Sequence, residues 1–216
     1  LDIRELRKGA EEMYGKLSPE NNYNPALNLA SALYGCEGDG YGQVFAGFYS
    51  VRMYGIYPLF LQLMHETVCK EGEGQTVFGE LGPEFQHHTN QRIFGGEENI
   101  LPLFFRSEAH NHETVHVSKE LRDIGIRDEE LGRLDGESYQ EALKSEYMGV
   151  KKELDEKDRP NITLSVTDVS YRGIGKIVAF LQYLAVYSAW LRDVDPFTQP
   201  DVERSKDLSM EERFNP

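Results

Sequence analysis

Four stretches of the sequence hold residue types that can move protons or grip a ligand. In the first, His65-Glu66-Thr67-Val68-Cys69-Lys70-Glu71-Gly72-Glu73-Gly74, a carboxylate stands near the C-terminal end of an apolar helical run, just before a glycine turn. Partial burial in a cleft above the sheet edge would make Glu66 a usable proton shuttle; an exposed helix-terminal glutamate is the plain alternative. The second runs from Gly79-Glu80 through Gly82 to Gln86-His87-His88 and Gln91, a glycine-punctuated turn opening a helix. Ligands gather at such turns outside the carboxyl ends of strands, and histidine exchanges protons near neutrality. Histidines that merely cap and solvate the helix fit the same residues.

The third stretch, from Pro196 through Gln199, Val202 and Glu203 to Lys206, is a loop running into a helix that could hold the lysine at a cleft mouth, or a solvated charged tail. The fourth is His110, His112 and His116. Alternate positions on a strand share a face, so a metal site is geometrically permitted. No fourth ligand has an obvious position, however, and an exposed polar loop or edge strand is the preferred reading, with no metal. Gly72, Gly74 and Gly79 have neither the Gly-Lys-Ser/Thr of a phosphate loop nor dinucleotide-binding spacing. Phe180, Tyr183, Tyr187 and Trp190 recur at helical spacing and read as core or interface.

The elements that must position these residues follow from periodicity. Ile3, Leu6, Ala10 and Met13 predict a helix over residues 3–16, and Asn24-Pro25 offers an N-cap and first turn for the next. A β-prone run, Gln43 to Tyr49, then feeds a longer apolar helix from about Met53 to Cys69. The pattern repeats with a strand over 76–81, a helix opened by Pro83 and stopped by Gly95-Gly96, and a strand from Ile100 to Phe105. Residues 108–136 read as a polar, acidic excursion whose HETVHV run could add a short edge strand. A helix from Ser138 to Lys157, a strand over 162–167, and the most apolar helix, Tyr171 to Leu191, complete the set. The expected fold is α/β, a three-layer, doubly wound, mainly parallel sheet flanked by helices. Its expected organisation is N-terminal helices over 1–39, the domain proper over 40–194, and a C-terminal loop and helix over 195–216.

The chain has 216 residues and is 39% hydrophobic, enough for one core. A net charge of -14 argues against nucleic-acid and anionic-membrane partners, both of which need a basic surface. Cys36 and Cys69 form no disulfide framework, so a reducing cytoplasm is the simplest setting. No stretch approaches the length of a membrane span. The first residue is Leu1, not Met, which suggests truncation or processing.

Taken together, these stretches resemble the phosphoglucose isomerase family. Its Gly-Glu-x-Gly-x-x-x-Gln-His-x-x-x-Gln motif is similar to Gly79, Glu80, Gly82, Gln86, His87 and Gln91, and its closing Gln-x-x-Val-Glu-x-x-Lys to Gln199, Val202, Glu203 and Lys206. Glu66, Lys70, Gly72 and Gly74 resemble the shorter bacterial members, as does the step of 21 residues from Glu66 to His87. Arg159-Pro160-Asn161 before a strand also fits. The likeness covers roughly residues 40 to 206. Ser205 stands where the family usually has glycine, and His88 and Asn90 replace commoner small and aromatic residues.

The resemblance implies a C-terminal sugar-isomerase (SIS) domain of a homodimeric enzyme that interconverts glucose 6-phosphate and fructose 6-phosphate through a cis-enediol, without metal or organic cofactor. Glu66 would be the general base, with Glu80 as its rival. His87, supplied across the subunit interface, would help open the ring, with Lys206 near the ring oxygen. Gln86, Gln199 and Glu80 would line the substrate. The family's Gly-Gly-Arg segment and Ser/Thr phosphate loop have no counterpart here and would belong to a missing N-terminal SIS domain, which eases the conflict between an acidic chain and an anionic substrate. Two other readings stay open. One is a lone SIS module that senses a sugar phosphate, for which Tyr49-Ser50-Val51-Arg52 is the only candidate loop; the other is an isomerase for a different epimer or a pentose.

Overall fold

The alternation of strand and helix periods from Gln43 onward builds a parallel sheet. A computed structural model describes residues 1–108 and 113–214. In chain order the elements are α1 (Ile3–Tyr14), α2 (Pro25–Gly38), β1 (Gln43–Tyr49), the single turn α3 (Val51–Tyr54), α4 (Tyr57–Val68), β2 (Thr76–Leu81), α5 (Thr89–Gly95), β3 (Ile100–Ser107), a short hairpin of β4 (Gly125–Ile126) and β5 (Glu129–Glu130), α6 (Tyr139–Glu156), β6 (Ile162–Val166), α7 (Tyr171–Trp190) and α8 (Glu203–Phe214). The main sheet has the order β2-β1-β3-β6 with every pair parallel. The connection from β1 leads to one side, and the one from β3 to the other. The order therefore reverses between β1 and β3, where a doubly wound sheet opens a crevice at its carboxyl ends.

Side-chain alternation assigns the two faces. Val44, Ala46 and Phe48 of β1, with Leu101, Leu103 and Phe105 of β3, join residues of α2, α4 and α7 in one buried cluster. Phe48 stacks on Phe105 at 4.5 Å between ring centroids. On the other face Phe45, Tyr49 and Phe104 meet Phe85, Ile93, and Tyr147, Val150 and Leu154 of α6. Both faces of β1 and β3 are thus covered, which is why these strands read as nearly unbroken apolar runs. The three-layer architecture is the one the periodicity predicts. Helix α7 is central, and α1 and α2 both pack on it. Asn24 holds the start of α2, accepting from the amides of Ala26 and Leu27 and donating to the Leu17 carbonyl at 2.9 Å. Ser138 and Glu141 form a capping box at the start of α6.

Three elements differ from expectation. The single helix expected from Met53 to Cys69 is broken, ending as α3 before Gly55 and resuming at Tyr57 with Pro58 in its first turn. The helix expected after Pro83 begins as a 3-10 turn, Glu84–His87, and becomes α5 only beyond His88. Of the HETVHV run, Thr114 makes an isolated bridge to Ser138, and the described part adds no strand to the sheet. Among the described residues no helix is long and apolar enough to cross a membrane.

Candidate functional site

Helix α4 returns along the sheet and delivers its last turn to the amino end of β2. There His65 accepts a hydrogen bond from the Val77 amide at 2.9 Å, satisfying an N–H group on an edge strand. Glu66 is exposed, and its carboxylate accepts from Gln62 Nε2 at 3.1 and 3.3 Å. The burial that would suit a proton shuttle is not supplied by the described residues of this chain. The following turn is firmly held. Glu37 accepts from the Gly74 amide at 3.1 Å and pairs with the buried Arg192, whose Nε lies 2.6 Å from it. Lys70, also buried, donates to the carbonyl of Asp195, where the tail leaves toward Gln199. Burial pushes the Cys69 thiol up, the Glu37 carboxylate adds to this and Arg192 opposes it.

Two residues of this turn stand in the first candidate stretch but have no site role there. Glu71 has φ 58° and is exposed between Lys70 and Gly72, and Lys70 links the turn to the tail. Their sequence signal was the alternation Lys-Glu-Gly-Glu-Gly, which marks a tight turn carrying carboxylates. Gln199 and Lys206 are exposed, and Lys206 Nζ lies 2.6 Å from Glu203 Oε1 on α8.

The second group of nominated residues sits at the carboxyl ends of the strands. Gln86 Nε2 donates to the Tyr49 hydroxyl at 2.9 Å and to the Glu146 carbonyl at 3.3 Å, tying the 3-10 turn to β1 and α6. Burial pushes the Tyr49 phenol well above its ordinary range, and the bond from Gln86 works against that shift. A Cβ on Gly82 would stand 2.9 Å from a Phe85 ring carbon and 3.0 Å from a Tyr49 ring carbon, so the motif glycine makes room for the aromatic packing beneath the turn. His87 is exposed on that turn. Glu80 Oε2 lies 3.9 Å from His88 Nε2, and His88 Nδ1 shares a hydrogen bond of 2.9 Å with Thr89 Oγ1.

Strands of six to eight residues separate the two groups. At about 3.3 Å per residue the separation is about 20 Å, too far for one substrate to touch both within a single chain. Between β1 and β3, at the reversal of strand order, lies a cleft of about 450 Å³ lined by residues including Ser50, Arg52, Arg106, Tyr139 and Lys144. None of Glu66, Glu80, Gln86, His87, Gln199 or Lys206 lines it.

Among the described residues no cluster of three or more His, Cys, Asp or Glu side chains could hold a metal. His110 and His112 lie outside the described residues. His116 Nδ1 is 3.3 Å from Asp135 Oδ1. The Asp135 carboxyl is held below the usual range, first by the Val117 amide and then by the charges of Arg122 and His116.

No family model matches the chain. In sequence it is 27% identical over 212 residues to a probable glucose-6-phosphate isomerase of Haloarcula marismortui, covering 97% of this chain and 46% of that protein. It is 25% identical over 222 residues to a glucose-6-phosphate isomerase of Rubrobacter xylanophilus, covering 97% of this chain and 48% of that one. The chain is a distant homologue of glucose-6-phosphate isomerases. It spans about half the length of these curated relatives and corresponds to only part of such a protein. In fold it matches a hypothetical protein, TT0462, from Thermus thermophilus, with a TM-score of 0.88 and 23% identity over 100% of this chain and 51% of that one. A glucose-6-phosphate isomerase from Chlamydia trachomatis matches with a TM-score of 0.75 and 17% identity, over 96% of this chain and 42% of that one. The architecture is the SIS-like one, seen in these larger proteins.

Proposed function

We propose that this chain is the proton-transfer half of an aldose-ketose isomerase acting on glucose 6-phosphate and fructose 6-phosphate. The observation that carries this reading is the likeness to proteins bearing that name over 97% of the chain. Two of its motifs fall at opposite ends of one sheet. That separation suits an active site shared between chains: the tail-side group, Glu66, Gln199 and Lys206, would meet His87 of a second copy. Glu66 takes the proton from C2 of the open-chain sugar and returns it to C1, so that a cis-enediol lies between aldose and ketose. His87 moves the ring-opening proton, and Lys206 steadies the ring oxygen. The amide of Gln86 is occupied by Tyr49 and Glu146, so it acts as a positioning residue that fixes the turn bearing His87.

Removing a positioned general base typically lowers the rate by about 10²- to 10⁴-fold. In the complete enzyme Glu66→Gln should reduce kcat by that order with little change in thermal stability, because the side chain is exposed. Near-normal turnover would remove Glu66 from the role. Glu71→Gln and Glu80→Gln, assayed alongside, test a carboxylate on the glycine turn and the one at the far end of the sheet.

A further inference from the structure

Lys70 has an uncommon setting for a lysine. It follows Glu66 by about one turn, just past the end of α4, and is only 5% exposed. Lysines are almost never buried so far unless they are paired, yet among the described residues no carboxylate lies within ion-pair distance of its ammonium. Its acceptor is a backbone carbonyl, that of Asp195. Desolvating an ammonium opposes folding, and an apolar side chain of similar length would fill the space without that cost. What only the ammonium supplies is a charge-assisted bond to one carbonyl, which fixes a direction.

Both ends of that bond belong to segments that carry nominated residues. On the turn, the Lys70 carbonyl accepts from the Glu73 amide at 2.9 Å, and Glu37, itself paired with Arg192, accepts from the Gly74 amide, so the backbone bearing the lysine is held. On the tail, the first bend is built around Asp195. Its carboxylate accepts from the Phe197 amide at 2.9 Å, and its carbonyl takes a second donor, Thr198 Oγ1, at 3.4 Å. Gln199 follows at once, then a 3-10 turn, Pro200–Val202, and α8 with Lys206. Past Val194 no described residue is buried, so apolar packing does not aim the tail, and the buried Lys70 ammonium grips it from the core side.

We infer that Lys70 is a positioning residue: its ammonium ties the tail to the turn after Glu66 and so sets where Gln199 and Lys206 stand relative to the proposed base. The inference rests on the isomerase reading above and adds to it the contact that aligns one side of the site. Being buried, Lys70 acts through the residues it places and not on the sugar. Without its bond the bend at Asp195 would swing, and Gln199 and Lys206 would swing with it, because α8 has no buried face to hold them.

Lys70→Met tests this in two settings. In the complete enzyme kcat should fall by about 10²-fold, the cost of misplacing a site by about 1 Å, while Tm stays at or above the parent's. In a Gln199→Ala/Lys206→Gln background the same change should cost less than about 3-fold, because a residue that acts through others is silent once they are gone. A lysine with a merely structural role would cost the same factor in both backgrounds. In the 216-residue chain, amide hydrogen exchange should quicken over residues 197–206 and stay unchanged in α4. Exchange in the tail equal to the parent's, an equal loss of turnover in both backgrounds, or a Tm several degrees below the parent's would each overturn the inference and leave the isomerase reading standing. Near-normal turnover of Glu66→Gln would remove that reading instead, and tail exchange would still report whether Lys70 holds the tail.

Discussion

At the scale of single residues, the most consequential contact beside the Glu66 turn is between Glu37 and Arg192. The Arg192 side chain is 0% exposed, and its charge is met by Glu37, by the Ser188 carbonyl at 2.8 Å and by the Tyr34 ring. Removing one member of such a pair leaves a buried charge uncompensated, which costs about 3–5 kcal/mol, whereas replacing both with apolar groups costs far less. Urea unfolding should therefore show Glu37→Ala losing about that much stability, and Glu37→Leu/Arg192→Met losing clearly less. A double variant as unstable as the single one would rule out this account. The turn is involved as well, since Glu37 also holds the Gly74 amide. None of this was legible in the sequence, where Glu37 and Arg192 lie far apart and outside every motif. What local pattern did reveal was the glycine turn itself.

At the scale of elements, the interface of α1 and α7 depends on glycines. A Cβ on Gly9 would overlap the Arg172 carbonyl, and one on Gly175 would overlap that of Leu6, so each helix presses on the other's backbone. Backbone cannot step aside as a side-chain tip can. Overpacking of this kind costs about 1–3 kcal/mol, so Gly9→Ala and Gly175→Ala should each lower Tm by about 2–12 °C. Gly35→Ala in α2 is the contrast: nothing lies within 4 Å of its Cβ position, and the change should stabilise by about 0.5–1 kcal/mol. Differential scanning calorimetry of the three variants checks the signs, and Gly175→Ala matching the parent would refute close packing. Element types along the sheet were legible because period 2 and period 3.6 are distinct in β1, β3 and α7. The breaks at Gly55 and His88 were not. A helix shortened by tertiary packing keeps its apolar spacing across the break, and periodicity cannot see where the hydrogen bonds stop.

At the scale of the whole molecule, the decisive fact is which end of the sheet each motif reaches. A crossover helix in a parallel sheet ends at the amino edge of the next strand, so Glu66 near the end of α4 must lie opposite the carboxyl-end turn that bears His87. The sequence leaves Glu66 either in a cleft above the sheet edge or exposed at a helix end, because residue type and spacing say nothing of the direction in which an element runs. The motif residues themselves were legible; their separation required the topology. Helix α8 points the same way: none of its residues is buried, so Lys206 is carried on an element that this chain does not pack. Among the described residues nothing encloses a sugar around Glu66, the proposed base. The chain's 216 residues, assayed in isolation with fructose 6-phosphate and a dehydrogenase that reports glucose 6-phosphate, should give turnover indistinguishable from buffer. Activity should appear only with the polypeptide that supplies the rest of the relatives' length. Cleavage by a protease within residues 203–214, ahead of any cut in the sheet, should disappear under the same condition, because packing would then cover α8. Robust turnover by the isolated chain would mean that one chain encloses a sugar without its counterpart, and the shared site inferred from the separation of about 20 Å between its two halves would be wrong.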